Sequence, residues 1–299
     1  MARQVVSIFG LGSMGLGVAC SALAGGHDVF GFDINPESQS KFIARGGQSG
    51  VMENTIAKSN VVVSVVLNGA QTEDLFFGVK GVVPQMQAGS VVVSCATLAP
   101  ETAKRLADKC NDYQVLYLDA PISGGPIKAS NGTVTIMASG SKAAFDAAMP
   151  LLGSISDNVY NLGEEAGQGS AMKSVNQLLA GIHIAAMGEA LTFGLSQGID
   201  ANRIVEVISK CAGTSWMFES RASHVLDGDY TPYAAINIWL KDLGIVLDVA
   251  KGSQFSAPLT AAALQQFAAA AGQGLGGEGD AAVAKVYAHN AGIKLPKMG

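Results

Sequence analysis

Charge is scarce in this sequence. Only 14% of its 299 residues are Asp, Glu, Lys or Arg, and the formal net charge is −5. The absence of a basic block argues against nucleic acid as the main partner. Cysteine is scarce as well: Cys20, Cys95, Cys110 and Cys211 include no Cys-x-x-Cys pair. That argues against a disulfide or zinc framework and for reduced thiols in the cytoplasm. The histidines His27, His183, His224 and His289 have no metal-ligand spacing, so no metal is expected. The start MARQVVSIFG leaves no room for a signal peptide. The long apolar stretch from Leu178 to Leu195 carries His183 and Glu189, and its length suits a buried helix better than a membrane span.

Apolar residues are plentiful, at 48%, and a chain this long exceeds one comfortable core, so two domains are expected. The first half alternates. β-branched runs at Val5–Phe9, Val29–Phe32, Val61–Leu67, Val91–Ser94 and Val115–Leu118 are separated by helix-like stretches such as Met14–Ala24, Pro36–Arg45 and Pro100–Lys109. This is the pattern of βαβ units and a parallel sheet. VVVSVV and SVVVS are apolar on both faces, as strands covered on both sides should be. Two further β-rich pieces follow, at 133–139 and 158–162. Beyond Gly163 the texture turns helical, over about 166–197, 201–211, 233–251 and 257–271, with a glycine-rich loop at 272–280. The expected fold is α/β: a parallel-sheet domain over residues 1–165, then an all-helical domain over 166–299. One long helix, about Gly169 to Ser196, is expected to cross between the domains and bury itself in a dimer.

Glycine, with 37 residues, is densest in SIFGLGSMGLGVA, residues 7–19. Gly10-x-Gly12-x-x-Gly15 follows a strand and opens a helix, the context in which this spacing marks a dinucleotide site. The first glycine makes the tight turn, the second admits a pyrophosphate, and the third packs helix on strand. The helix N-terminus offers N–H groups and a positive dipole end to the phosphates. The intervening Leu11, Ser13 and Met14 would lie along the same ligand. The next strand ends in Asp33, followed by Ile34, Asn35 and Pro36 with no arginine. A carboxylate there accepts from ribose hydroxyls and repels a 2′-phosphate, so NAD is favoured over NADP.

Three stretches could supply chemistry. In DAPISGGPIKASNG, residues 119–132, Ser123, Gly124 and Gly125 could cradle a carboxylate; the alternative is an ordinary turn stiffened by Pro121 and Pro126. In GQGSAMKSVNQLL, residues 167–179, Lys173 shares a helix face with Asn176 and Gln177. It is either a snorkelling surface lysine or a desolvated one able to move a proton. Lys241 and Asp242 are either a plain surface pair or part of a site.

Taken in order, FGLGSMG, CATLAP, DAPISGG, GQGSAMKSVNQLLAG and LKDLG resemble the β-hydroxyacid dehydrogenases, a family that includes 3-hydroxyisobutyrate dehydrogenase. The resemblance spans nearly the whole chain and implies an N-terminal Rossmann-type dinucleotide-binding domain followed by an all-helical domain. It implies that Gly10, Gly12, Gly15 and Asp33 hold NAD, with Leu67, Asn68 and Thr97 also on the cofactor. Ser123, Gly124 and Gly125 would bind a substrate carboxylate. Lys173 would be the general acid/base, supported by Asn176 and Gln177, and Lys241 would lie beside cofactor and substrate. The implied partner is a small hydroxy acid, and the implied assembly a homodimer or homotetramer. Three positions depart from the family pattern: Gln177 where relatives have asparagine, Asn68 where many have proline, and Ala234 where many have a large aromatic. The last suggests a roomier pocket. With QLLAGIHIAA, AGTSWMFESR and HVLDGDYTP, these departures resemble one branch that oxidises a four-carbon sugar acid.

Overall fold

Five short apolar runs become five parallel strands. In the computed structural model, which describes residues 2–297, β1 (Val5–Phe9) leads through α1 (Gly15–Ala24) to β2 (Asp28–Phe32), then α2 (Pro36–Ile43) and α3 (Met52–Ile56). β3 (Val61–Ser64), α4 (Gly69–Phe77), β4 (Val91–Ser94), α5 (Pro100–Asp112) and β5 (Leu116–Asp119) complete the unit. The strand order is β2-β1-β3-β4-β5, with Val6 beside Val61, Val61 beside Val91 and Val91 beside Leu116. Successive valines of β3 and β4 feed two different cores. Val61, Val63, Val91 and Val93 pack with Ile8 and Val18, while Val62 and Val92 pack with Phe76 and Leu106. Both faces are covered, which is why these runs read as unbroken rather than alternating.

A smaller sheet follows, made of β6 (Ile122–Ser123), β7 (Thr135–Ala138) and β8 (Asn158–Asn161), with α6 (Gly125–Ser130) and α7 (Lys142–Ile155) between its strands. β7 runs antiparallel to β6 and parallel to β8. The bridge between Asp119 and Ser139 ties this sheet to the end of β5.

Next comes α8 (Gln168–Ser196), 29 residues and about 43 Å long. By internal contacts the chain divides into two units, Met1–Lys173 and Ser174–Gly299. The first six residues of α8 therefore belong to one unit and the rest of it to the other. By length and composition α8 could cross a bilayer, yet half of its most apolar window is buried in the structure. The second unit adds α9 (Ala201–Ile208), α10 (Trp216–Asp227), α11 (Ile236–Gly252), α12 (Pro258–Ala270) and α13 (Val283–Ala291). These pack around Ile184, Leu191, Phe218, Trp239, Leu243 and Phe267, and no strand occurs there among the described residues.

Several elements differ from the expectations. β3 stops at Ser64 rather than Leu67, because the Leu67 N–H turns away to the Gln71 side chain, 2.9 Å distant, as the chain enters α4. The short helices α3, α4 and α6 were not anticipated, nor were α10 and α13. The expected loop at 272–280 begins as a π-helical turn over Ala271–Leu275 and ends at Asp280, whose carboxylate is buried against Arg221 and Trp239.

α4 and α5 are joined by Glu73, which meets Arg105 at 2.6 Å and Lys109 at 2.7 Å. The two cations hold its carboxyl at about 2, below the ordinary value of 4.5. Its stabilising contribution is therefore present above pH 4.5 and lost as pH falls towards 2. Because these side chains are one-third to one-half exposed, screening keeps that contribution small. Glu73→Gln should cost about 0.5–1 kcal/mol at pH 7 by urea unfolding, with the gap to wild type shrinking steadily below pH 4.5.

Candidate active site

Parallel strands deliver their carboxyl ends to one edge, and the residues singled out in the first unit gather there. Gly10–Gly15 follow β1, Asp33 follows β2, Leu67 and Asn68 follow β3, and Thr97 follows β4; Ser123–Gly125 come after β5 by way of β6. The strand order reverses between β1 and β3, the switch point at which open α/β sheets leave a crevice.

The three glycines of the first loop do three different things. Gly10 has φ +88°, and a Cβ there would stand 2.6 Å from the Val65 carbonyl oxygen. A Cβ on Gly15 would stand 1.8 Å from the Gly10 oxygen, so no larger residue lets α1 leave the strand this closely. A Cβ on Gly12 would meet nothing within 4 Å. Gly12 thus borders open space at the head of α1, whose first turn no side chain caps. A pyrophosphate fits such a cradle, and any side chain would intrude on it. Leu11 is only 2% exposed, with its side chain in the core, so it presents backbone alone. Ser13 is exposed and Met14 half-buried.

Asp33 accepts the Leu11 N–H at 2.6 Å and the Asn35 N–H at 2.7 Å. Its carboxylate orientation is thereby set by the glycine loop itself, and each oxygen keeps a lone pair for a ribose hydroxyl. Asn68 caps α4, accepting the Gln71 N–H at 2.9 Å, while Gln71 reaches back to Leu67. An asparagine in place of proline thus supplies a reciprocal cap. Leu67 is half-exposed and Thr97 half-buried.

Beyond β5 the chain makes the Ser123-Gly124-Gly125 turn. Gly124 has φ +129° and Gly125 has φ +76°, both in the left-handed region that favours glycine. A Cβ on Gly124 would also strike the Lys128 stem at 2.6 Å. Ser123 is half-buried. Lys173 is 7% exposed and donates from Nζ to the Ile122 carbonyl at 2.9 Å. It is not a snorkelling lysine: its amine lies beside the residue that precedes Ser123.

One residue that sequence reasoning did not single out organises this region. Asp119, fully buried at the end of β5, accepts from Gly167 N at 3.0 Å, Ser170 N at 2.8 Å and Ser170 Oγ at 2.7 Å. Ser139 Oγ lies 3.5 Å from the same carboxylate and accepts the Gly169 N–H at 3.0 Å. Together they take the N–H groups of Gly167, Gly169 and Ser170 at the start of α8. Burial pushes the Asp119 carboxyl up while these donors pull it down, and burial prevails. A Cβ on Gly169 would lie 2.4 Å from the Met137 oxygen, so the first turn of α8 sits directly on the ends of β5 and β7. A cap drawn from about fifty residues upstream leaves no local signal. The hints were the aspartate closing an apolar strand and the glycines of Gly-Gln-Gly-Ser.

In the second unit, Asn176 Nδ2 donates to Gln177 Oε1 at 2.8 Å. Gln177 Nε2 donates to Asp242 Oδ2 at 2.5 Å, and Lys241 lies 2.6 Å from Asp242 Oδ1. Asp242 is 2% exposed, so Lys241 and Asp242 are not a surface pair. A carboxylate only accepts, so it dictates which end of the Gln177 amide faces it, and this in turn orients Asn176. Ala234 lines a cavity of about 10 Å³ with Arg221, His224, Thr231 and Tyr233, room for about one water molecule. Among the described residues no cluster of His, Cys, Asp and Glu could hold a metal.

Residues 5–163 match the model of the NAD-binding domain of 6-phosphogluconate dehydrogenase. Residues 167–287 match the model described as NAD-binding of NADP-dependent 3-hydroxyisobutyrate dehydrogenase. The chain is 44% identical over 297 residues to an L-threonate dehydrogenase of Cupriavidus necator, with 99% of each chain covered. It is 41% identical over 294 residues to an L-threonate dehydrogenase of Escherichia coli K12, covering 97% of this chain and 96% of the relative. A crystal structure of a 3-hydroxyisobutyrate dehydrogenase from Salmonella typhimurium matches with a TM-score of 0.89 at 41% identity, over 94% of this chain and 99% of that one.

The glycine loop yields a contrast that can be measured. Gly12→Ala should melt within a degree or two of wild type yet bind NADH at least tenfold more weakly in a fluorescence titration. Gly15→Ala should lose stability itself, by several kcal/mol of overpacking and loop displacement, because its Cβ has no space to occupy.

Proposed function

The chain belongs to the β-hydroxyacid dehydrogenase family and is a nicotinamide-dinucleotide-dependent hydroxyacid oxidoreductase; from that premise we propose that it oxidises L-threonate to the 2-oxo acid with NAD. The observation that carries the chemistry is the buried Lys173 amine, tied to Ile122 next to the Ser123-Gly124-Gly125 turn. The full-length identity to L-threonate dehydrogenases of several bacteria supports the substrate. Asp33 without a following arginine supports NAD over NADP.

In this reading Gly10, Gly12 and Gly15 admit the dinucleotide, with Leu11, Ser13, Met14, Leu67, Asn68 and Thr97 along it and Asp33 on its ribose. When bound, the dinucleotide supplies the acceptor for the hydride that leaves the carbinol carbon. Ser123 and the N–H groups of Gly124 and Gly125 fix the substrate carboxylate and so aim that carbon. Neutral Lys173 accepts the hydroxyl proton. Asn176 and Gln177 follow one turn later on the same helix. The Gln177 amide is engaged at both ends, by Asp242 and by Asn176, so Asn176 is the amide left to meet a substrate hydroxyl. Lys241, steadied by Asp242, adds positive charge for the acid. The protein works in the cytoplasm as a homodimer or homotetramer, with the exposed stripe Val175, Leu179 and Phe193 of α8 covered by a second copy.

A second reading, 3-hydroxyisobutyrate as substrate, is favoured by the Salmonella typhimurium structure. Rates with a panel of hydroxy acids and both NAD and NADP decide between them. L-Threonate with NAD should give the highest kcat/KM, and a higher value with 3-hydroxyisobutyrate overturns the assignment. Lys173→Ala should lower kcat by about 10²–10⁴-fold, the usual worth of a positioned proton acceptor, with NADH affinity unchanged. Turnover close to wild type in that variant removes Lys173 from the reaction.

A further inference from the structure

The DAPISGG segment and the start of α8 are fastened together twice. Asp119 grips the opening of the helix through Gly167 N, Ser170 N and Ser170 Oγ. Three residues further along each chain segment, the Ile122 carbonyl accepts from Lys173 Nζ. The two fastenings are three residues apart on an extended segment and three residues apart on a helix. They form a closed frame whose far corner is the lysine amine and whose next residue is Ser123.

We propose that Asp119 is a positioning residue for proton transfer: it sets the axial placement of α8 on the sheet and thereby the distance between the Lys173 amine and the Ser123-Gly124 turn. The physical argument has three parts. Asp119 is fully buried, and an ionised carboxylate is costly there unless donors surround it. Its three short bonds come from Ser170 N and Oγ in the first turn of α8 and from Gly167 N just before it, so the carboxylate is fully satisfied only when the start of the helix is seated. Steric contact holds the same seat from the other side, because Gly169 leaves no space between α8 and the carbonyl oxygens of Met137 and Asp119. The helix is therefore pulled down by a charge and stopped by backbone. A one-residue slip along a helix moves a side chain 1.5 Å and about 100° around the axis. Either change would take the amine off Ile122 and away from the substrate hydroxyl. Ser139 completes the frame by holding Gly169 N while bridged through its backbone to Asp119.

This inference rests on the reading of Lys173 as proton acceptor, so its test is a double-mutant cycle that separates the two. Lys173→Ala comes first, and retained turnover there removes the lysine from the reaction and overturns this proposal with it. With a lowered residual rate in hand, Asp119→Asn is measured in both backgrounds at high enzyme concentration by NADH absorbance. With Lys173 present, Asp119→Asn should lower kcat at least tenfold, leave KM for substrate and the NADH Kd within twofold, and raise the deuterium isotope effect on kcat. With Lys173→Ala present it should lower the residual rate less than twofold, because there is no amine left to misplace. Ser170→Ala, which deletes one donor and keeps the backbone, goes through the same cycle and should show the same pattern with a smaller first step. Equal losses in both backgrounds, or NADH binding that falls together with kcat, would mean that Asp119 merely supports the fold. If Asp119→Asn does not fold, Ser170→Ala carries the decision alone, and an unchanged kcat in that variant overturns the proposal.

Discussion

A carboxylate out of reach of water meets the opening turn of a 29-residue helix. Asp119 needs hydrogen-bond donors because it is buried, and the start of α8 needs acceptors because its first N–H groups have no partners within the helix. Each requirement is met by the other, and the dipole at the helix start favours the negative charge. The consequence reaches further than a cap. The helical turn carrying Lys173 starts from a point set by the sheet, and the sheet edge carries the other candidate groups of the first unit.

Two other aspartates repeat the device on a smaller scale. Asp33 binds the N–H groups of Leu11 and Asn35, so the acidic group at the end of β2 is oriented by the loop that leaves β1. Asp242 takes the Gln177 amide nitrogen and the Lys241 ammonium. A carboxylate cannot donate, so each of these groups imposes a direction on the amides around it. The chain has few charges, and these three are spent on orientation rather than on the surface. In the glycine loop the same edge uses the opposite means. Gly10 and Gly15 sit where no side chain fits, while Gly12 borders open space in which a side chain would meet nothing.

Much of this was legible along the chain wherever the causes are local. Period and β-branching announced β1 to β5. The spacing of Gly10, Gly12 and Gly15 after an apolar run announced the loop, because a tight turn, an approach and a close packing each demand glycine at a fixed offset. Asp33 was legible because the second strand has to end near the first. Lys173 in an apolar helix was legible as a candidate and ambiguous in meaning, since a snorkelling lysine and a desolvated one have the same neighbours in sequence. The short helices α3, α4 and α6 were missed because a few residues carry too little periodicity. The cap on α8 was missed because Asp119 and Ser139 lie about fifty and thirty residues upstream of the groups they bind.

From the amino-acid sequence alone follow the alternation of strands and helices, the place of the glycine loop, the helical second half and the family. Each rests on residues near one another in the chain, where propensity, turn chemistry and spacing act directly. Only the tertiary structure decided that the Lys173 amine is buried on the Ile122 carbonyl, that Asp119 seats the helix, and that Gln177 is committed to Asp242 while Asn176 is not. Those outcomes depend on which distant groups share a space from which water is excluded, and burial is what turns an ordinary aspartate or lysine into one with a direction.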